Sequence, residues 1–180
     1  MRSISPYDLS LRPFSILDRD WALLVAGTRE PNPMTVSWGG FGTLWNLPTV
    51  TVYVRPTRFT FGLLEGEPEF TLNVMPPAFK KALELCGTKS GRDTHKWSAA
   101  GLRPVPSERV EVPRVEGADL SLECRVVATL ALDPARFMDP RIKGFYPEAD
   151  HHTAFLGEVL TAWVSDGFAA AGPKAEKGSR

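Results

Sequence analysis

The sequence predicts a mainly β domain, a barrel or a sandwich with a few short helices, and three observations carry that expectation. Apolar residues alternate with period two in several short runs. Proline and glycine are scattered between those runs as punctuation, and the 16 prolines exceed the roughly 9 expected at an ordinary usage of ~5%. Helix-like segments are short and few. Many short strands pack stably when they close on one another, because closure removes exposed edges.

Residues 21–27 are apolar on both faces, as expected of a strand covered on two sides or at a subunit interface. Met34, Val36 and Trp38 then alternate with Thr35 and Ser37, and Gly39, Gly40 and Gly42 follow as a glycine-rich turn. Val50, Val52 and Val54 alternate with Thr49, Thr51 and Tyr53, and Phe70, Leu72 and Val74 with Thr71 and Asn73. Over 118–132 one face carries Leu120, Leu122, Cys124, Val126, Ala128, Leu130 and Leu132, and the other Asp119, Ser121, Glu123, Arg125 and Thr129. Residues 154–164 form a second strand apolar on both faces. That makes about six strands, close to the usual size of a sheet.

Helices are expected at three places. Thr57 can cap one that runs to Leu64, since its hydroxyl can accept from the free N–H groups that follow. A second spans 77–85, with proline at its start and Gly87 after its end. A third spans 93–100 and stops at Gly101. Residues 169–180 carry Ala, Gly, Lys and Glu without an apolar stripe, so the expected division is one domain over 1–168 and a flexible tail over 169–180.

Charge narrows the function classes. The 180 residues carry 21 basic and 21 acidic side chains, so bulk charge cannot drive binding to nucleic acid or to an anionic membrane. The N-terminus shows Pro6 and Asp8 and no apolar core of a secretory signal. Cys86 and Cys124 lie in dissimilar contexts, which points to reduced thiols and a cytoplasmic protein rather than a disulfide framework. Zinc through His95, His151, His152 or the cysteines is not indicated, because no pair at ligand spacing is backed by a second cluster.

Any anion site must be local. Between Pro31 and Leu64 the charged residues are Arg55 and Arg58, at a strand end and at the mouth of a helix. Two cations beside free backbone N–H groups make a phosphate site, or else both simply meet surface carboxylates. Downstream, Lys80, Lys81, Lys89, Arg92 and Lys96 face only Glu84 and Asp93, around a run Gly87-Thr88-Lys89-Ser90-Gly91-Arg92 in which small residues let main-chain amides approach an anion. Alone, that run is equally a solvated loop. Thr35 to Gly42 would let a flat polar ring lie against bare backbone, or is a twisted strand entering a turn.

Taken together and in order, the segments resemble a known family. Asn32-Pro33-Met34-Thr35-Val36-Ser37-Trp38-Gly39-Gly40, Tyr53-Val54-Arg55-Pro56-Thr57-Arg58-Phe59-Thr60, Glu69-Phe70-Thr71-Leu72-Asn73-Val74, and Gly87 to Asp93 followed by His95-Lys96-Trp97 are similar to the flavin reductase-like family, particularly its flavoredoxin-type branch. The resemblance implies a six-stranded FMN-binding split barrel that works as a homodimer. It implies that Arg58, Phe59 and Thr60, with Ser90, Gly91 and Lys96, hold the FMN phosphate, and that Thr35, Val36, Ser37, Trp38 and Gly39 border the flavin ring through main-chain groups. Arg55 shares the phosphate motif and ranks below Arg58, because Pro56 follows it. His152-Thr153-Ala154-Phe155-Leu156-Gly157-Glu158-Val159 is similar to the segment whose histidine lies beside the nicotinamide in the reductases, with His151 inserted here between Asp150 and His152. His152 is either that catalytic residue or a histidine that leads a strand.

The implied function is an NAD(P)H-dependent flavin reductase, with NADH or NADPH as electron donor. The alternative is a carrier that keeps FMN bound and exchanges electrons with another redox protein. Five Trp and ten Phe are more aromatic surface than a small barrel easily covers, which agrees with a dimer.

Overall fold

The computed structural model describes residues 1–170; the expected tail lies, beyond residue 170, outside the described residues. Ten strands occur among the described residues: β1 Arg2–Ile4, β2 Ala22–Ala26, β3 Asn32–Val36, β4 Gly39–Leu44, β5 Leu47–Val54, β6 Glu69–Val74, β7 Pro104–Val105, β8 Arg114–Val115, β9 Leu120–Ala131 and β10 Thr153–Val164. Five α-helices accompany them among the described residues: α1 Ser15–Asp18, α2 Phe59–Gly66, α3 Lys80–Thr88, α4 Lys96–Ala99 and α5 Asp166–Ala170. All six expected strands are present. Two further strands complete the main sheet, which has eight, while β7 and β8 pair apart.

The main sheet is antiparallel throughout, in the order β3-β2-β6-β9-β10-β5-β4, and β1 lies beside the C-terminal half of β10. Its two ends are β3 and β4, yet only Ser37 and Trp38 separate Val36 from Gly39 in the chain. Three peptide steps span at most roughly 11 Å, so the sheet must curl until its first and last strands nearly meet. This is a split barrel, and Ser37 and Trp38 are its seam.

The barrel interior holds Leu24, Phe70, Leu72, Leu122, Phe155 and their neighbours, and Phe70 and Phe155 are fully buried. Burying a side chain of that size contributes on the order of 1.5–3 kcal/mol. A second core forms outside the barrel, where Leu23 and Val25 of β2 meet Leu83 and Cys86 of α3, Trp97 of α4, and Val112. Ala22, Leu24 and Ala26 point inward while Leu23 and Val25 point outward, so β2 is apolar on both faces because both are covered.

Several local expectations are corrected. The stretch read as a glycine-rich turn continues as β4, and the chain reverses one step later at Trp45 and Asn46, both at positive φ (53° and 59°), the backbone that a two-residue hairpin loop demands. Helix α2 begins two residues later than Thr57, with Arg58 in the capping position and no side-chain cap. The Thr57 hydroxyl donates instead to Asp150 at 3.4 Å. Helix α3 passes through Gly87, which packs on Thr35, and ends at Thr88. On β9, Ser121 and Glu123 are as buried as the apolar face. Glu123 accepts from the main-chain N–H groups of Glu108 and Arg109 and from the Trp163 indole, which pins the 107–112 segment over that face.

Candidate functional site

Strand β3 sits at the edge of the sheet with β2 on one side, so alternate main-chain N–H and C=O groups on its other side have no strand partner. That open edge faces a groove. One end is a cavity of about 190 Å³ walled by Thr35, Val36, Ser37, Trp38, Arg55 and His152, among others. It adjoins, at Met34 and Arg58, a notch of about 120 Å³ walled by Phe59, Thr60, Ser90, Gly91, Arg92 and Lys96. A larger cavity of about 660 Å³ lies between Ile16, Val74, Leu83 and Phe168, and none of the sequence-predicted site residues lines it.

The notch is built from three elements. Helix α2 starts there, and the first N–H groups of a helix have no acceptor within it. The α3–α4 loop forms the facing wall, where the Ser90 hydroxyl accepts from the Arg92 N–H at 3.2 Å and keeps its own proton. Helix α4 supplies the floor. Its Trp97 is buried with the indole N–H donating to the Pro31 carbonyl at 2.6 Å, and this anchor turns the neighbouring Lys96 inward until it is 4% exposed.

The charge of Lys96 is therefore poorly solvated. Its ammonium donates to the Cys86 carbonyl at 2.9 Å. Dehydration pushes its pKa down, with the nearby Arg58 charge as a smaller contribution; Cys86 opposes this only as a thiolate. Dehydration also pushes the Cys86 thiol up to about 11, so at neutral pH that thiol offers no negative charge. Arg58 is exposed, and neither Arg58 nor Lys96 has an ion-pair partner among the described residues.

Small residues hold this wall close. A Cβ on Gly91 would collide with the Asn32 carboxamide and come within 2.6 Å of the Phe59 ring. Asn32 in turn donates to the Thr60 hydroxyl oxygen at 2.9 Å, leaving the hydroxyl proton of Thr60 free. Arg92 ties the loop across the notch by donating to the Thr57 carbonyl at 3.1 Å.

At the wider end, Trp38 is 40% exposed, and its ring lies 5.0 Å from that of His152 and 5.5 Å from Phe145. His152 Nδ1 is 2.9 Å from the Tyr146 hydroxyl. Dehydration, then the Arg55 charge, lowers its pKa to about 4, with Asp150 pulling the other way and Arg58 adding a smaller push down. The imidazole is neutral at pH 7.

Arg55 and Arg58 part company. Arg55 pairs with Asp150, donates to the Phe145 carbonyl at 2.8 Å, and lies 5.0 Å from the Tyr146 ring centre. Partial dehydration works to raise the Asp150 pKa, but the hydrogen bond and charge of Arg55 outweigh it and hold the carboxyl below its ordinary value. Arg55 thus fastens the 133–150 connection to the end of β5, and its side chain is not turned into the notch. Of the two cavities, Arg55 walls the wider one and Arg58 walls both.

Thr35 and Gly39 sit on either side of the seam. The Thr35 hydroxyl donates to the Leu83 carbonyl at 2.6 Å, and the residue lines the wider cavity. Gly39 lies outside the groove, in a recess with Phe14, Leu17 and Tyr53, where a Cβ would sit 2.5 Å from the Thr51 carbonyl oxygen. It is glycine because β4 must lie tight on β5. Sequence reasoning missed Asn32, Met34, Arg92 and Tyr146. The first three stand inside the motif segments, and Arg92 adds to the local cation excess; Tyr146 has no periodicity or motif to mark it.

The arrangement fits a flat ring system with a phosphate tail. A buried, unpaired ammonium, a free guanidinium, two hydroxyl protons and a helix start converge at one end. Bare main chain and the Trp38 indole border the other.

The family model described as flavin reductase like domain matches residues 20–173. The flavoredoxin of Desulfovibrio vulgaris (Miyazaki F) aligns with a TM-score of 0.66 at 22% identity, over 88% of this chain and 73% of its own. An FMN-binding protein from Thermus thermophilus, solved with p-hydroxybenzaldehyde bound, gives 0.65 at 24% identity, over 93% and 83%. The NADH:FAD oxidoreductase of Streptomyces globisporus C-1027 gives 0.64 at 22% identity, over 82% and 76%. At these identities the three structures establish a shared fold.

Proposed function

Because the chain belongs to the flavin reductase like domain family, we propose that it is an FMN-binding flavoprotein oxidoreductase that accepts electrons from NADH or NADPH. The observation that carries this reading is the groove itself, an anion notch at one end and an exposed strand edge at the other. FMN, when bound, supplies the hydride and single-electron chemistry, which no side chain of the groove can provide.

The chain's own residues bind and orient. Arg58 and Lys96 neutralise the phosphate, and Thr60 and Ser90 donate hydroxyl protons to it. Phe59 and Gly91 shape the wall that admits it. The main chain of Val36, Ser37 and Trp38 offers donors and acceptors to the polar edge of the ring, while the Trp38 side chain keeps water from one part of the site. His152, neutral and at the groove wall, presents a hydrogen bond to the nicotinamide nucleotide. No strong base or nucleophile is required.

The protein works as a homodimer on this reading. Phe14 (92% exposed) and Phe145 (53%) flank Trp38 near the groove mouth, and aromatic surface in that position is supported best by a second subunit that covers it.

The test is spectroscopic. The purified protein should take up FMN and show flavin absorbance, and anaerobic stopped-flow mixing with NADH or NADPH should bleach it rapidly. A protein that stays colourless after incubation with FMN, riboflavin and FAD overturns the flavin assignment. Bound FMN that is bleached only by a protein donor overturns the nicotinamide step and leaves the flavoredoxin-like carrier.

A further inference from the structure

We propose that Tyr146 is a positioning residue for His152: its hydroxyl donates to Nδ1, which fixes the imidazole as the Nε2–H tautomer and leaves that N–H to the groove as the donor for a ligand carbonyl. That the carbonyl is the carboxamide of a nicotinamide nucleotide rests on the function proposed above.

The geometry gives the direction of the bond. The Tyr146 oxygen and His152 Nδ1 are 2.9 Å apart, and either atom could hold the proton. An imidazole lone pair is a far better acceptor than a phenol oxygen, and a phenol a better donor than a neutral imidazole N–H. Tyr146 is 8% exposed, and the Nδ1 atom is the hydrogen-bond partner found for its hydroxyl among the described residues. If Nδ1 carried the proton, the phenol hydrogen would be left buried without an acceptor.

The pair is held on several sides. The Tyr146 ring stacks on Phe137 with centres 6.0 Å apart and rings 23° from parallel, and the Arg55 guanidinium lies 5.0 Å from its centre. The imidazole touches Trp38. Its backbone, just ahead of β10, is tied to the end of β9, since the His152 carbonyl accepts from Leu132 N–H at 2.9 Å.

The charged groups around His152 favour the neutral ring that a single fixed tautomer needs. They are Arg55 from the end of β5, Arg58 from the start of α2, and Asp150 from the connection before β10. Asp150 is the group that could stabilise an imidazolium, and it is already paired with Arg55. With Nδ1 engaged and His152 on the groove wall, Nε2–H is the group left for a ligand.

Long-range ¹H–¹⁵N correlation of the imidazole rings in the full-length, FMN-loaded protein tests this, with His95→Gln and His151→Gln used for assignment. Wild type at pH 7 should show His152 with an unprotonated Nδ1 and a protonated Nε2. Tyr146→Phe, which keeps the ring and its stacking, should mix the tautomers and raise the Kd for the nicotinamide nucleotide by about fivefold, the equivalent of one ordinary hydrogen bond, with FMN affinity unchanged. A wild-type ring protonated on Nδ1 overturns the proposal, as does a tautomer unaltered by Tyr146→Phe. The wild-type spectrum needs no variant, so the proposal stays testable if Tyr146→Phe does not fold. If wild type binds neither NADH nor NADPH, the nicotinamide reading fails, and the ring spectra still decide the role of Tyr146.

Discussion

The Lys96 ammonium donates to the main-chain oxygen of Cys86 at 2.9 Å, and no carboxylate among the described residues pairs with it. A cation taken out of water without a counter-charge destabilises the fold that contains it. An arriving phosphate supplies what the protein omits, so stability and binding are set against each other at this position.

Lys96→Met should therefore stabilise the ligand-free protein by about 1 kcal/mol while it weakens FMN by roughly 10- to 100-fold, the range for a lost charge-assisted hydrogen bond. Riboflavin, which lacks the phosphate, should bind both proteins equally. Thermal unfolding without ligand and titration with each flavin check the pair of outcomes; a Lys96→Met protein less stable than wild type would show that the ammonium is compensated within the protein.

Arg58→Ala removes the exposed guanidinium at the mouth of the notch. FMN affinity should drop by about 10- to 100-fold, and the rate of flavin reduction at saturating FMN should change much less. Normal FMN occupancy in Arg58→Ala would place the phosphate elsewhere.

His152 gives a pH dependence with a definite sign. Its pKa falls from 6.5 to about 4 on folding, so between those values the unfolded chain binds a proton that the folded chain refuses. This contribution is fully present above about 6.5 and is lost as pH falls toward about 4. Chemical denaturation at pH 7 and pH 5 should show a smaller pH-dependent loss in His152→Gln than in wild type; equal losses would mean the imidazole is as well solvated in the native protein as in the unfolded one.

Two glycines, one in the notch wall and one on β4, should respond differently. Gly91→Ala places a methyl group against Asn32 and Phe59, and overpacking of that kind costs about 1–3 kcal/mol. It should also disturb the Asn32 to Thr60 hydrogen bond and lower FMN affinity. A Cβ on Gly40 meets nothing within 4 Å, so Gly40→Ala should leave both properties close to wild type. Melting temperatures and FMN titrations of the two variants make the comparison.

The strands were legible because a barrel wall imposes its period on the chain: Val50, Val52 and Val54 are all buried while Thr51 and Tyr53 between them are partly exposed. Strand β4 was not legible, since Gly39, Gly40 and Gly42 have no side chains to alternate, and Gly39 is there for the approach of Thr51 rather than for a turn. The burial of Glu123 also escapes periodicity. It depends on loop N–H groups of Glu108 and Arg109, whose arrival over β9 no local pattern announces.

The site follows the same division. Arg58, Thr60, Ser90, Gly91 and Lys96 meet at one notch; the local charge excess marked two segments, and only the family resemblance joined them into one site. The diversion of Arg55 was hidden because its partner, Asp150, lies 95 positions further along. Tyr146 belongs to a connection whose short 3-10 turns begin at Asp133 and Asp139 caps, and such caps say nothing about which ring the connection will lay against His152.

Closing the sheet with Ser37 and Trp38 puts the mechanical weak point of the wall and its binding surface in one place. The outermost strands are six hydrogen-bonded neighbours apart by one route and two residues apart by the other. A guest resting on that short bridge therefore braces both rims at once, so amide protons of β3 and β4 should exchange more slowly together when the groove is filled, although neither strand hydrogen-bonds to the other.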